Sequence, residues 1–405
     1  MTEAPNITPS FRTSGTNLKR AKTHNHRVVM EIIRTRGPIG RTEISEITSL
    51  SRQTVQNIVA ELHRGGMVEM SAGKAVGRGH PGMNVRIRAD HAYSLGFHVD
   101  RLSVTAVACD LMGDIVWEGS ESLQQSSCEN ANACVLKLMG EFRQAHADIG
   151  PKLFGVGLAA PGPFEVEKTA TTHTDAATFS EFGSADNLSR LEEALSLPVV
   201  LQNDASAAAL GEHVYGRGRN YSSFAFVQFG IGLGAGFVLN GGLYGGAARN
   251  AGEIGHVSIA HDGPKCFCGN RGCLERYLSL YALCETLGID PASPESVRQT
   301  EKLFDQNDPA VERWMEEVAP HMRQMINMIE MMLDPEVIFL GGIIGAGFLK
   351  ALLDKALPLG LRLDGKSDRA DRVLIGTAGA KAVALGATAA AVEALYAPSV
   401  SQLVL

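Results

Sequence analysis

Three cysteines, Cys266, Cys268 and Cys273, stand within eight residues of one another in "CFCGNRGCLE", shortly after His256 in "AGEIGH". Three thiolates and an imidazole form the donor set of a closed, tetrahedral, structural zinc site. A single residue separates Cys266 from Cys268, unlike the usual two-residue knuckle, and Gly269 and Gly272 let the loop wrap around an ion. By position alone, His256 and His261 both compete for the fourth place. Four protein ligands leave no open coordination position, so the metal is not expected to be catalytic. Two carboxylates crowd the same segment, Glu253 before His256 and Glu275 after Cys273. The 7 cysteines form no even, dispersed framework. That usage points to a reducing cytoplasm, where clustered cysteines bind metal more often than they form disulfides.

A second group of residues suited to recognition lies near the start. "SRQTVQNIVAELHRGG" places Arg52, Gln53, Gln56 and Asn57 at the beginning of a helix whose other face carries Val55, Ile58, Val59 and Leu62. Ser51 is its expected N-cap, and Gly65-Gly66 ends it. Two more helical patterns precede it. "HNHRVVMEIIRTRG" carries Val28, Val29, Ile32 and Ile33 and stops at Gly37-Pro38, and "RTEISEITSL" carries Ile44, Ile47 and Leu50. Three helices with a short link between the second and third have the helix-turn-helix layout, in which the third enters the major groove. Arg, Gln and Asn at its start suit bidentate base contacts or phosphate contacts. The alternating stretch "MVEMSAGKAVGRGHPGMNVRIRAD" reads as a winged hairpin whose tip offers Lys74 and Arg78 to the DNA backbone or minor groove. Charge agrees. Residues 1–90 hold fourteen Lys/Arg and seven Asp/Glu, a balance of +7, and the rest holds 23 and 37, a balance of −14, within a total of −7. A three-helix protein-binding module is the blander alternative.

Residues 1–20, rich in Ser, Thr, Pro and Asn, read as a mobile arm, residues 21–90 as the DNA-binding domain. At 405 residues the chain is expected to form two or three domains. After residue 90 the pattern becomes strand, turn and helix, twice over. "HAYSLGFHVDRLSVTAVACDLMGDIVWEG" reads as two alternating strands joined by a turn at Met112-Gly113-Asp114. "LFGVGLAAPGPF", "LPVVLQNDASAAALGEHVYG", "SFAFVQFGIGLGAGFVLNGGLYGG" and "DPEVIFLGGIIG" each pair a buried strand with a Gly-rich turn or a helix. That is the signature of two α/β lobes with a cleft between them. The first lobe is expected over residues 91–205 with the C-terminal helix 381–405, the second over 206–380. The beginning carries no charged-then-apolar signal region. The Ala-rich stretch 381–395 is interrupted by Glu393 and is too short for a membrane span. A soluble cytoplasmic protein without a membrane partner is expected.

In this order, "APGP", "NDASAAALGE", "GIGLGAGFVLNGGLYGG", "AGEIGH", "CFCGNRGCLE" and "FLGG" resemble the ROK family of repressors and sugar kinases, over nearly the whole chain from about residue 20. The resemblance implies an actin-like fold of two ribonuclease-H-like lobes, and the N-terminal winged helix-turn-helix marks the repressor branch. It implies His256 as the fourth metal ligand. It also implies Asn203, Asp204, Glu253, His256 and Glu275 as contacts to a sugar, with the first two across the ligand from the other three. Sugar kinases of the family use the equivalent of Asp204 as a general base and cradle phosphate on a loop resembling Asp-x-Gly-Gly-Thr. Here that place reads His98-Val99-Asp100-Arg101-Leu102, and Ile231 stands where the kinases have Thr in the second loop. Phosphate loops need glycine for close approach of backbone N–H groups. The chain is therefore expected to be no enzyme. The reading is a transcriptional regulator, a repressor by preference, that binds double-stranded operator DNA as a homodimer or homotetramer and takes a sugar or sugar phosphate as effector. The alternative is an active sugar kinase with a DNA-binding appendage.

Overall fold

The computed structural model describes residues 18–72, 83–123, 125–162, 164, 179–247, 249–360 and 372–396. They belong to two units, Met1–His91 with Glu393–Leu405 and Ala92–Val392.

In the first unit α1 (Leu18–Arg36) buries Val29, Met30 and Ile33, with Val28 and Ile32 half-buried beside them. It ends just before Gly37-Pro38, because the proline brings no N–H to continue the ladder. Leu18–Arg20, expected in the arm, already belong to this helix, and the rest of that arm lies outside the described residues. The short α2 (Arg41–Thr48) buries Ile44 and leaves Ile47 and Leu50 half-buried, since two turns present only one residue squarely to the core. It stops at Ser49 in the left-handed conformation, φ 56°. Two residues on, Ser51 caps α3 (Arg52–Arg64), its side chain accepting from the Thr54 N–H at 3.1 Å. Val55, Ile58, Val59 and Leu62, spaced to share one face, are buried. Strands β1 (Ile39–Gly40), β2 (Val68–Ala72) and β3 (Met83–Ile87) form an antiparallel sheet in the order β1-β3-β2. The unit is a winged helix-turn-helix. The expected wing tip with Lys74 and Arg78 lies outside the described residues.

The second unit contains two five-stranded sheets of one topology. In the first, β4 (Tyr93–Val99), β5 (Ser103–Asp110) and β6 (Ile115–Ser122) run antiparallel, and β7 (Leu153–Ala160) and β8 (Val199–Asn203) add parallel strands, in the order β6-β5-β4-β7-β8. The stretch read as two strands thus holds three. A tight turn at Asp100–Leu102, closed by the Asp100 N–H donating to the Ser103 carbonyl at 2.9 Å, divides it where no glycine marks the break. In the second sheet β9 (Phe224–Phe229), β10 (Leu233–Leu239) and β11 (Gly242–Tyr244) are antiparallel, and β12 (Val337–Gly342) and β13 (Val373–Ile375) parallel, in the order β11-β10-β9-β12-β13. Helices α4 (Cys128–Ala145) and α5 (Ala185–Leu195) cover the first sheet around Leu95, Phe97, Val135 and Phe142. Helices α7 (Leu280–Leu287), α8 (Ser296–Asp305), α9 (Pro309–Leu333) and α10 (Ala346–Ala356) cover the second around Phe229, Trp314, Met322 and Phe348.

Between the sheets lie α6 (Asp204–Val214) and α11 (Ala382–Tyr396), both rich in alanine. Small residues let their backbones meet, and a Cβ at Gly386 would fall 1.7 Å from the Ala207 carbonyl oxygen. Residues from both sheets, including Ala159, Phe224 and Phe339, complete this middle layer. Two sheets of one topology around such a pair of helices are the two ribonuclease-H-like lobes of an actin-like fold. None of the helices in the described residues is long and apolar enough to cross a membrane.

Candidate functional site

The interlobe site begins where β8 hands over to α6. Asn203 ends the strand and caps the helix, its Oδ1 accepting from the Ser206 N–H at 3.1 Å. Its Nδ2 remains on the cleft side, 3.4 Å from where a Cβ of Gly162 would stand, and Glu253 Oε1 lies 3.4 Å from the same point. The glycine at 162 therefore keeps open a gap bounded by Asn203 of the first lobe and Glu253 of the second. Asp204 opens α6 with Oδ1 accepting from the Ala205 N–H at 2.7 Å. Burial raises its carboxyl above the ordinary carboxylate range. The charges of His98 and Arg101 act against this, and that of Asp100 adds to it. Burial pushes Glu253 up to about 7, with Asp204 and Glu275 contributing as like charges. Carboxylates from both lobes thus share one half-buried space.

Glu275 is buried at the opposite wall, with Oε2 3.0 Å from where a Cβ of Gly232 would stand in the Gly-rich turn before β10. His256 lies between the two glutamates. Its Nδ1 is 3.4 Å from Glu275 Oε1 and 3.6 Å from Cys266 Sγ, while its Nε2 faces Glu253 Oε2 at 4.0 Å. One ring nitrogen is on the cysteine side and the other on the cleft side. The donor atoms of His256, Cys266, Cys268 and Cys273 all lie within 4.8 Å of one another. The Cys268 and Cys273 sulfurs are 3.6 Å apart. A tetrahedron with metal–sulfur bonds of about 2.3 Å has edges of about 3.8 Å, so the group fits a metal ion of that kind. His261, exposed, is outside the group. The loop closes through the bridges Ser258–Cys273 and Lys265–Arg271. Gly272 (φ +65°) is required in it, since a Cβ there would lie 1.7 Å from the Ala260 carbonyl oxygen.

On the first lobe, the turn after β4 folds onto itself. Asp100 Oδ1 accepts from the Arg101 N–H at 2.7 Å. The Arg101 guanidinium lies over the Phe267 ring of the cysteine loop, 5.6 Å from its centroid, and Phe267 meets the His256 ring edge-on at 5.2 Å. Neither aromatic contact was foreseen in the sequence, where Phe267 is only the residue between two cysteines. Two buried polar side chains, His98 at 7% exposure and Gln228 at 5%, have a ring nitrogen (Nε2) and an amide oxygen (Oε1) that meet no hydrogen-bond partner among the described residues. His98 drew attention as a replaced loop residue. Gln228 carried no signal, since one glutamine inside an apolar strand has no motif around it.

In the DNA-binding unit, Arg52, Gln53, Gln56 and Asn57 are all exposed along the start of α3, and Gln53 Nε2 donates to Asn57 Oδ1 at 3.0 Å. Behind them, His26 Nε2 and Lys22 Nζ contact the Glu61 carboxylate at 2.8 and 3.1 Å, tying α1 to α3. These contacts hold Glu61 below the usual carboxylate range, the Lys22 hydrogen bond foremost.

The sequence profile of the ROK family matches residues 104–393. The xylose repressor of Bacillus subtilis (strain 168) is 32% identical over 267 residues, 66% of this chain and 68% of that protein. The crystal structure of a ROK family transcriptional regulator, a homolog of the E. coli MLC protein, superposes with a TM-score of 0.73 at 22% identity, covering 95% of this chain and 99% of that one. The ROK hexokinase of Thermus thermophilus reaches a TM-score of 0.55 at 26% identity, over 74% of this chain and 97% of its own.

Proposed function

Because the chain belongs to the ROK family, we propose that it is a sugar-responsive transcriptional regulator, with operator DNA read by α3 and a sugar bound between the lobes of its body. Support for a regulator over a kinase comes from one observation above all. The Arg101 N–H, placed in the turn where a phosphate loop would offer its amides, is already taken by the Asp100 carboxylate. A triphosphate there would have to displace a negative charge held at 2.7 Å. Asp204 then acts as a hydrogen-bond partner for a hydroxyl, alongside Asn203, Glu253, Glu275 and the cleft-side nitrogen of His256. Carboxylates and amides in a half-buried cleft pair well with vicinal hydroxyls.

Zinc is the ion we assign to His256, Cys266, Cys268 and Cys273. The ion would supply the charge that turns buried thiols into thiolates and would fix the loop. Its coordination is complete without the ligand, so its part is to hold His256 and Glu275 in place. A reducing cytoplasm suits such a site, and binding as a homodimer or homotetramer suits a helix-turn-helix.

The relative named for xylose puts D-xylose at the head of the test panel, with D-glucose and the corresponding sugar phosphates beside it. Fluorescence anisotropy on DNA fragments selected by the purified protein, titrated with each sugar, should show one that shifts DNA affinity. A coupled assay for ADP with ATP and magnesium should show no turnover. ADP formation would replace the regulator with the kinase, and a panel without any effect would remove the sugar.

A further inference from the structure

The two lobes repeat one topology, so each position in one sheet has a counterpart in the other. β4 and β9 are counterparts. Each is central, antiparallel to the next strand in sequence and parallel to a later one. His98 and Gln228 are the penultimate residues of these two strands. Both are more than nine-tenths buried, and each has a polar atom with no hydrogen-bond partner among the described residues. An unpaired buried donor or acceptor is costly, and folded chains carry few. Others occur among the described residues, Ser94 Oγ and Ser296 Oγ among them, but these two stand at equivalent places in the two lobes.

Along β4, Leu95, Phe97 and Val99 point into the core of the first lobe, so His98 points the other way. Along β9, Ala225, Val227 and Phe229 point into the core of the second lobe, so Gln228 does likewise. Gln228 pairs with Gly234, and a Cβ added to Gly234 would stand 3.1 Å from the Cβ of Ala205, next to Asp204. His98 is near enough to interact electrostatically with Asp204. Both side chains therefore face the first turn of α6, one from each lobe. Ala159 and Thr105 flank His98, and the glycines Gly341 and Gly234 flank Gln228.

We propose that His98 and Gln228 form a second polar subsite, one side chain from each lobe, that hydrogen-bonds a further hydroxyl of a polyhydroxylated ligand beyond the group held by Asn203 and Asp204. The proposal rests on the sugar-binding reading above and adds specificity residues to it. A hydroxyl both donates and accepts, so it can satisfy an imidazole nitrogen and an amide oxygen together. A phosphate fits poorly, because Gln228 Oε1 only accepts and the carboxylates of Asp100 and Asp204 are close by.

The test uses the full chain, titrated calorimetrically with D-xylose and D-glucose, and separately with AMPPNP and magnesium. His98→Phe and Gln228→Met remove the polar atoms at similar volume, and His98→Asn is the milder variant should the ring be needed for folding. Each substitution should weaken whichever sugar binds the wild type by about tenfold. The melting temperature without ligand should hold or rise for Gln228→Met and change little for the His98 variants, because neither polar atom has a hydrogen bond to lose among the described residues. A purely structural pair gives the opposite pattern, a lower melting temperature with unchanged sugar affinity, and would overturn the proposal. So would binding of AMPPNP that the substitutions weaken. If the wild type binds neither sugar, the sugar-binding reading falls and this one with it. If Asp204→Asn loses sugar while the three variants keep it, only the second subsite falls.

Discussion

Asp204 is a carboxylate that the fold makes hard to ionise. Its surroundings include His98, the Ala205 N–H and Arg101, which favour the charge, and Asp100, which opposes it, and burial outweighs the favourable contacts. The sign of the consequence follows from linkage. A carboxyl raised in the folded state binds its proton more tightly there than in the unfolded chain. Its contribution to stability is complete below the ordinary carboxylate pKa of about 3.9 and is lost as pH rises through the raised value. Asp204→Asn should therefore make the ligand-free protein more stable at neutral pH, with the advantage shrinking toward pH 4 in denaturant titrations. Above the raised pKa, where Asp204 is ionised, the same variant should bind sugar more weakly, by about 1.5–3 kcal/mol for a charge-assisted bond. A gain in stability without a loss of affinity would take Asp204 out of the ligand site. Cys268→Ser tests the other half of the cleft. It should lose metal by elemental analysis and weaken the sugar, because His256 and Glu275 are positioned by the same loop. Metal loss with unchanged sugar affinity would separate the two sites.

Among the elements, α3 is the one whose role can be tested alone. Its apolar residues are spent on the core, so every exposed residue of its first two turns is available to DNA. Gln53 and Asn57 lie one turn apart and share a hydrogen bond, which holds the glutamine amide in one orientation before DNA arrives. Gln53→Ala should cost about 1–3 kcal/mol on the selected site and relax base preference at one position. Asn57→Ala should also loosen Gln53, so the double variant should lose less than the sum of the singles in anisotropy titrations. Strict additivity would mean that the two side chains read DNA independently. The boundaries of α3 were legible in the sequence because the cap, the apolar spacing and the closing glycines are all local. The turn after β4 was not, because Asp100 closes it without a glycine.

At the scale of the molecule, the proposed ligand between Asn203 and Glu253 would favour the lobe angle at which both reach it. It can change DNA affinity only through its different affinity for the two arrangements. Helix-turn-helix operators are usually palindromic because two protein copies bind them. Light scattering at micromolar concentration should therefore find at least two chains per particle. A single chain, with and without DNA, would argue against symmetric half-sites.

The sequence alone determined the pieces whose information is local. These are the three helices of the DNA-binding unit, the alternation of strands and helices in the body, and the three clustered cysteines with the glycine that lets their loop close. Short-range spacing decides them, because caps, periodicity and ligand reach all act within a few residues. Only the tertiary structure decided which residues share a space. It set Asn203 against Glu253 across the position of Gly162, laid Arg101 over Phe267, and put His98 and Gln228 at matching places in two sheets. Those relations depend on strand register and on which face each strand buries. Partial desolvation, which raises Asp204 and Glu253, exists only once both lobes have folded around them.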